Sequence, residues 1–418
     1  MAPSSPTAGV VSFEEARHIV EEHARLVSPG EPETSDLLSS MGRVVAETIP
    51  ADRDSPPFAR AARDGYAVRA ADVAQVPARL EMIGEIKAGE VPDTLGVKAG
   101  QAAAIMTGAP LPAGADAVVM VEYTAQSGTA VEIQRSVKAG ENFVPRGSEA
   151  GAGQVLLERG TRLDHAGIAL AASAGKAQIE VFRKPRVAVL ATGDEIVEID
   201  QRPGPAQIRN SNTYSLAAQV QRAGGEPALL PIAPDETRRL RELIEEGLKF
   251  DLLLLAGGVS MGKYDLVEQV LSELHAEIYF TGAQIQPGKP IVFGRCAPGR
   301  AGMPAPNKYF FGLPGNPVST MVTFELFVQA MIAALAGARP EALIFPRARL
   351  KSDVRTKTGL KRFLPAMLSG EYENAEVELA RWQGSGDIAA LTAANCWLVV
   401  PPDREMIAAG EWVSVMMR

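Results

Sequence analysis

Asp251-Leu-Leu-Leu-Leu-Ala-Gly-Gly-Val-Ser-Met-Gly-Lys-Tyr-Asp265 is the stretch that decides the fold. Leu252 to Leu255 form an unalternating apolar run, the pattern of a strand covered on both faces in a parallel sheet. Gly257 and Gly258 then let the backbone turn sharply with exposed amides. Asp265 opens an amphipathic helix expected over 266–274. Strand, glycine turn and helix start in succession make an anion site at the carboxyl edge of a sheet, where open α/β folds bind ligands. Two readings of the turn stand side by side. Gly257 to Lys263 has the G-x-x-x-x-G-K spacing of a phosphate loop, but Tyr264 replaces the hydroxyl that would hold magnesium. Asp265 is either a metal-holding carboxylate near that place or a helix N-cap, with Glu268 completing a capping-box pattern.

The same texture extends to both sides. Upstream, a strand at 186–191 leads to Thr192-Gly193-Asp194-Glu195, and a helix at 212–223 stops at Gly224-Gly225. A strand at 228–232 then leads to Asp235, read as the cap of a helix over 236–248. Downstream come strands at 277–280, 291–293 and 309–312, the turn Gln286-Pro-Gly-Lys289-Pro, and Leu313-Pro314-Gly315-Asn316-Pro317. That last turn opens a long apolar helix to about 336, with Pro317 at its first position behind an Asn cap. Alternation of this kind implies a doubly wound, mainly parallel α/β sheet over 184–338.

Other textures flank it. Ser12-Phe-Glu-Glu15 is a capping box for a helix to about 26, and a second short helix is expected over 37–46. Residues 49–142 read as a β-rich inserted domain punctuated by Gly and Pro, with strands near 80–86, 101–106, 117–122 and 130–134. A helix capped by Asp164 over 165–174 is expected to pack on the N-terminal helix. Residues 12–48 and 143–183 would then form one discontinuous helical and extended domain. Residues 341–418 alternate with strand period and read as a small C-terminal β-barrel.

Composition narrows the function. The formal net charge of −8 argues against nucleic acid or an anionic membrane as partner. Cys296 and Cys396 lack C-x-x-C spacing, which fits a reducing compartment. The first residues lack a signal-peptide pattern, and no apolar run reads as long enough for a bilayer, so a soluble cytoplasmic protein is expected. No G-x-S-x-G elbow and no G-x-G-x-x-G fingerprint occur. The loops 192–195, 257–265, 286–290 and 313–317 should meet at the carboxyl edge of the sheet. Glycine amides and Lys289 suit oxyanions, whereas Asp194, Glu195 and Asp265 suit a hard divalent cation. Each piece also has a structural reading: Asp194 and Glu195 as caps or partners of Arg209, Lys289 as a surface lysine, and 313–317 as a rigid turn.

The motifs Asp64-Gly-Tyr-Ala-Val, Ile105-Met-Thr107-Gly-Ala-Pro, Gly114-Ala-Asp-Ala-Val-Val-Met, Thr192-Gly-Asp-Glu, Gly257-Gly-Val-Ser260-Met-Gly, Pro287-Gly-Lys-Pro and Leu313-Pro-Gly-Asn-Pro-Val-Ser occur in this order. Together they resemble the molybdopterin molybdenumtransferase family of MoeA type, which includes the E domain of gephyrin. The resemblance implies a molybdopterin-binding α/β domain, an elongated homodimer, and insertion of molybdate into adenylylated molybdopterin with release of AMP. It also implies Mg²⁺ or another divalent cation and contact with an upstream molybdopterin adenylyltransferase. By motif, Glu195 and Asp265 would serve the metal, and Asp64 and Thr107 would face the sheet edge from the other subunit. Thr192, Asp194, Asn210, Ser211, Asn212 and Asp235 would lie along the pterin and pyrophosphate. Ser260, Lys289, Pro314, Gly315 and Asn316 would hold oxyanions, and Arg362 and Ser385 would border a molybdate pocket. Gln286 stands where the family often has a second lysine, Arg60-Ala-Ala-Arg63 where a Ser-Ala-Met run is usual, and Glu149 where Asp is common. A P-loop-like nucleotide hydrolase and a gephyrin-like scaffold are the competing readings.

Overall fold

The computed structural model describes residues 9–90, 95–258, 266–296, 307–339 and 341–418. Its centre is a six-stranded sheet. We label its strands β1 (Arg186–Ala191), β2 (Glu226–Leu229), β3 (Leu252–Ala256), β4 (Glu277–Phe280), β5 (Val292–Cys296) and β6 (Lys308–Leu313). The order is β2-β1-β3-β6-β5-β4. The first four in that order run parallel, β5 runs antiparallel to β6, and β4 at the edge runs antiparallel to β5. From β1 the chain goes first to β2 on one side and later to β3 on the other. That reversal leaves a crevice between the ends of β1 and β3, the usual ligand position in open α/β sheets. Every residue of β3 is buried, as its unalternating sequence requires.

Four helices introduced here serve the sheet: α1 (Phe13–Ala24), α2 (Ser211–Arg222), α3 (Thr237–Gly247) and α4 (Leu266–Glu273). Leu240, Leu243 and Ile244 of α3, with Val267, Val270 and Leu271 of α4, cover one face. The other face carries α1, α2 and the helical run Pro317–Leu335, whose Val318, Val322, Leu326, Phe327 and Met331 are fully buried. By length and composition that run could cross a membrane, contrary to the sequence expectation. Its packing into the largest core of the molecule explains the apolar composition instead.

Three expectations need correction. The helix expected over 37–46 is only a 3-10 turn, Leu38–Ser40, and Val44 and Val45 continue as isolated bridges to the 162–181 region. The N-terminal helix does not pack on the helix at His165–Ser173. Phe13, Ala16, Ile19, Val20 and Ala24 join the core of the central sheet, with the Phe13 ring 5.9 Å from Phe327 and 5.3 Å from Phe363. What packs around His165–Ser173 is Val45, Ile49, Leu157, Ile179 and Val181. Finally, Asp235 is not the N-cap of α3; Glu236 holds that position without a side-chain cap bond.

The inserted β region is a six-stranded sheet in the order 117–120, 65–68, 101–105, 78–86, 130–133, 124–127. At the C-terminal end, Arg347–Leu350, Lys361–Ser369, Glu376–Leu379, Cys396–Val400 and Trp412–Met417 close into a barrel, because Lys361–Ser369 pairs with both Glu376–Leu379 and Cys396–Val400. The barrel is fastened to the central unit by main-chain pairing. Ile285 and Gln286 run parallel to Lys361 and Arg362.

Candidate functional site

The carboxyl ends of the parallel strands are laced to each other. Thr192 donates its N–H to Ala256 O at 3.2 Å, Gly193 to Ala233 O at 3.1 Å, and Gly257 to Leu313 O at 3.1 Å. This close approach demands glycine at the turn after β3. Gly258 sits at φ +64°, and a Cβ there would lie 2.6 Å from Thr192 Oγ1 and 2.9 Å from Val267 Cγ2. A cleft of about 390 Å³ opens above the laced ends, lined by Glu195, Asn210 to Asn212, Gly257, Gly258, Pro290 and Gly315 to Pro317, among others.

Polar groups around the cleft are set by local geometry. Asn210 caps α2 by accepting the Thr213 N–H at 3.2 Å. Asn212 donates from Nδ2 to Gly315 O at 2.7 Å, fixing the 313–317 turn against the start of α2. Its Oδ1, together with the buried hydroxyls of Thr192 and Thr213, has no hydrogen-bond partner among the described residues. Buried polar atoms are rarely left unpaired in native proteins. Asn316 caps the Pro317 helix by position only, with no side-chain cap bond. Thr320 Oγ1 takes up the slack there, donating to Pro314 O and Asn316 O.

The adjacent carboxylates Asp194 and Glu195 part company. Asp194 Oδ1 accepts the Asp235 N–H at 3.1 Å and so braces the loop after β2. Glu195 folds back over Gly193, whose added Cβ would meet Glu195 Oε2, and its carboxylate is exposed toward the cleft. It forms no ion pair among the described residues. Arg209 lines the same cleft but does not pair with either carboxylate; its Nε donates to Gln201 O at 3.1 Å.

Lys289 is exposed next to the cleft-lining Pro290, and its backbone carbonyl accepts from Ala283 and Ile291. Arg362 and Ser385 of the barrel are brought to this side. Arg362 is buried in register with Gln286 and donates to Leu360 O at 3.1 Å; burial holds its guanidinium below the ordinary value. Ser385 O accepts the Val318 N–H at 3.0 Å, one residue into the helix that Asn316 starts.

Asp64 and Thr107 meet each other but not the cleft. Asp64 Oδ1 accepts the Thr107 N–H at 2.6 Å, and bonds from Thr107 hold its carboxyl below the ordinary carboxylate value. Nearby, Glu149 accepts from Ser55 Oγ at 3.0 Å and Arg60 at 2.9 Å, which lowers its pKa in the same way. Neither Asp64 nor Thr107 lines the sheet-edge cleft within one chain. Ser260 and Asp265 lie outside the described residues, as does most of the 257–263 phosphate-loop spacing. Sequence reading missed Arg209 as a cleft residue. The available signal was its place directly before the Asn210 helix cap.

An open sheet with a polar cleft at its switch point, a β-rich insertion and a terminal barrel define a multidomain α/β protein with a ligand-sized cleft at the sheet edge. Family models match most of the length: the MoeA N-terminal region (domain I and II) over 11–175, a domain described as "Probable molybdopterin binding domain" over 188–334, and the MoeA C-terminal region (domain IV) over 347–417. The chain is 37% identical over 402 residues to the molybdopterin molybdenumtransferase of Nostoc sp., covering 94% of this chain and 90% of that one. It is 34% identical to the Bacillus subtilis protein of the same name, over 93% and 90% of the two chains. Among solved structures, the molybdopterin biosynthesis moeA protein of Pyrococcus horikoshii OT3 superposes with a TM-score of 0.77 at 29% identity, covering 98% of this chain and 100% of that one. The chain belongs to the molybdopterin molybdenumtransferase family. The hydrolase and scaffold readings gain no support from these relatives.

Proposed function

We propose that this enzyme inserts molybdate into the dithiolene of adenylylated molybdopterin and releases AMP, in the cytoplasm and as a homodimer. The observation that carries the reading is the sheet-edge cleft: the unpartnered Asn212 Oδ1 and helix-start amides beside Glu195, a carboxylate with no ion pair among the described residues, in a chain that matches its family almost end to end. The start of α2 and the Asn316 turn are where backbone N–H groups can receive phosphoryl oxygens. Lys289, with Arg362 and Ser385 on the barrel side, would receive molybdate.

The chemistry of the donors fits a divalent cation. Among the described residues no group of three or more His, Cys, Asp or Glu gathers. Magnesium, however, needs only one or two protein carboxylates when substrate phosphates and water complete its shell. Glu195, with no ion pair among the described residues, would be a hard-oxygen ligand at the cleft, and Asp265 would be its companion by motif. A cation there would neutralise charge on the pyrophosphate. Glu195 and Asp265 would hold it, Asn212 and the Gly315 turn would fix the substrate's position, and the upstream adenylyltransferase would deliver that substrate.

Purified protein incubated with adenylyl-molybdopterin, molybdate and magnesium should release AMP in step with active molybdenum cofactor. No molybdate-dependent AMP release under these conditions would sink the reading.

A further inference from the structure

The geometry points to Arg209 as the residue that clamps the phosphoryl group of the ligand against the start of α2, an assignment that rests on the reading above. Glu195 and Arg209 are the charged side chains lining the cleft among the described residues. Two neighbours of opposite charge would be expected to pair, yet no ion pair joins them. The backbone explains part of this. Ile196–Val197 and Ile208–Arg209 run parallel as a two-stranded ribbon, with Val197 in register with Arg209 and the Ile208 N–H bonded to Glu195 O at 2.8 Å. The ribbon carries the two side chains separately.

Arg209 is oriented without being consumed. Its Nε donates to Gln201 O at 3.1 Å, which leaves both terminal nitrogens without a hydrogen-bond partner among the described residues. A guanidinium held this way presents two parallel N–H donors, the geometry that matches phosphate bidentately. The next residue, Asn210, spends its side chain on the Thr213 N–H, so the N–H groups of Ser211 and Asn212 at the helix start keep no intrahelical acceptor. Asn212 supplies an independent sign of a ligand. It is only 8% exposed and lines the same cleft, and its Oδ1 lacks a donor although Nδ2 is bonded to Gly315 O. The subsite therefore takes a phosphorylated molecule with an N–H or O–H donor a short way from its phosphate. A phosphorylated heterocycle meets both demands; a bare oxyanion meets only the first.

Inorganic pyrophosphate and a neutral, unphosphorylated pterin are the probes, titrated calorimetrically into the full-length protein. Arg209→Gln should weaken pyrophosphate binding about tenfold to a hundredfold, the worth of a charge-assisted bidentate contact. Arg209→Lys should fall between, because it keeps the charge and loses the fork. Asn212→Asp should weaken pyrophosphate by charge repulsion while still binding the pterin, whereas Arg209→Gln should leave pterin binding unchanged. Arg209 only staples the Gln201 loop if Arg209→Gln lowers the melting temperature yet binds pyrophosphate like the wild type, and that result overturns the assignment. Equal losses for pyrophosphate and pterin also overturn it, since they report a collapsed cleft. The transferase assay is separate. An inactive protein whose pyrophosphate binding still depends on Arg209 would sink the activity and leave the subsite standing.

Discussion

Asp194 and Glu195 are chemically alike and adjacent, yet the structure gives them different work. Asp194 accepts a backbone N–H from Asp235, a task an amide oxygen can also perform. Glu195 faces the cleft with no ion pair among the described residues, and it is the carboxylate proposed to receive a cation. Glu195→Gln is therefore expected to lower AMP release by on the order of 10²-fold with an unchanged melting temperature, as for loss of a metal-holding carboxylate. Asp194→Asn should keep most activity. Steady-state rates of the two variants side by side check this, and equal losses would mean that both serve the loop alone. Turns and caps were partly legible, because they are written in neighbouring residues: the Gly257-Gly258 turn and the Asn316-Pro317 helix start stand where sequence reading put them, whereas the helix expected from 212 starts at Ser211 behind Asn210. Asp235 misled for the same reason. An Asp before a helical pattern has cap propensity, but Asp194, distant in sequence, reaches its amide first and the helix starts later. Arg209 was not read as a cleft residue, because which cavity a side chain lines is a property of three dimensions.

Among the elements, the helix Pro317–Leu335 stands out for a π-helical turn at Phe324–Val328. The turn places Glu325 toward the barrel, where Trp397 Nε1 donates to its Oε2 at 2.5 Å. Burial raises the pKa of this carboxyl, with the Trp397 bond and the charges of Arg418 and Arg222 working against the rise. A carboxyl raised in the folded state stabilises fully below its unfolded value, near 4.5, and that contribution fades as pH climbs through the folded value. Glu325→Gln keeps an acceptor for Trp397 and removes the buried charge. It should gain on the order of 1 kcal/mol over the wild type at pH 8, with a smaller difference at pH 5. Urea unfolding midpoints at the two pH values test the sign, and a gain that is larger at pH 5 refutes it. The glycine turn gives a second test. Gly258→Ala places a methyl group against Thr192 and Val267 at a left-handed φ, a cost of about 1–3 kcal/mol that should displace the turn and depress AMP release. Wild-type activity and stability in that variant would show the turn to be tolerant. Strands of the central sheet were legible as apolar runs, since burial on both faces leaves no alternation to misread. The partner of α1 was not. An amphipathic stripe says that a face is buried, and topology decides against what; Val10–Val11 pairs with Gly282–Ala283 and so docks α1 on the central sheet.

At the scale of the whole molecule, the candidate site residues come from units far apart in sequence, while the cleft itself is lined by the central α/β unit. The barrel reaches the cleft side through the pairing of Gln286 with Arg362 and through Ser385 on Val318. Arg362 thus sets a buried cation beside the position where Gln286 replaces the usual lysine. The β-rich insertion makes no such approach. Asp64 and Thr107 hold each other at its surface, outside the cleft, with Asp64 bracing the loop that carries Thr107. If a two-fold dimer completes the site, as proposed, Asp64 of each chain serves the Lys289 turn of the other. Asp64→Ala and Lys289→Gln should each be inactive alone. In a mixed dimer the Asp64→Ala chain keeps its Lys289, and its companion keeps Asp64, so one of the two clefts is wholly wild type. Random re-association makes half of the dimers mixed, and activity should recover to about a quarter of the wild-type value per chain. Differently tagged chains isolate the mixed dimers and remove any doubt about exchange. In a site confined to one chain, every cleft in such a dimer carries a lesion. Purified mixed dimers as inactive as the parents would therefore place Asp64 and Lys289 in the same site of the same subunit.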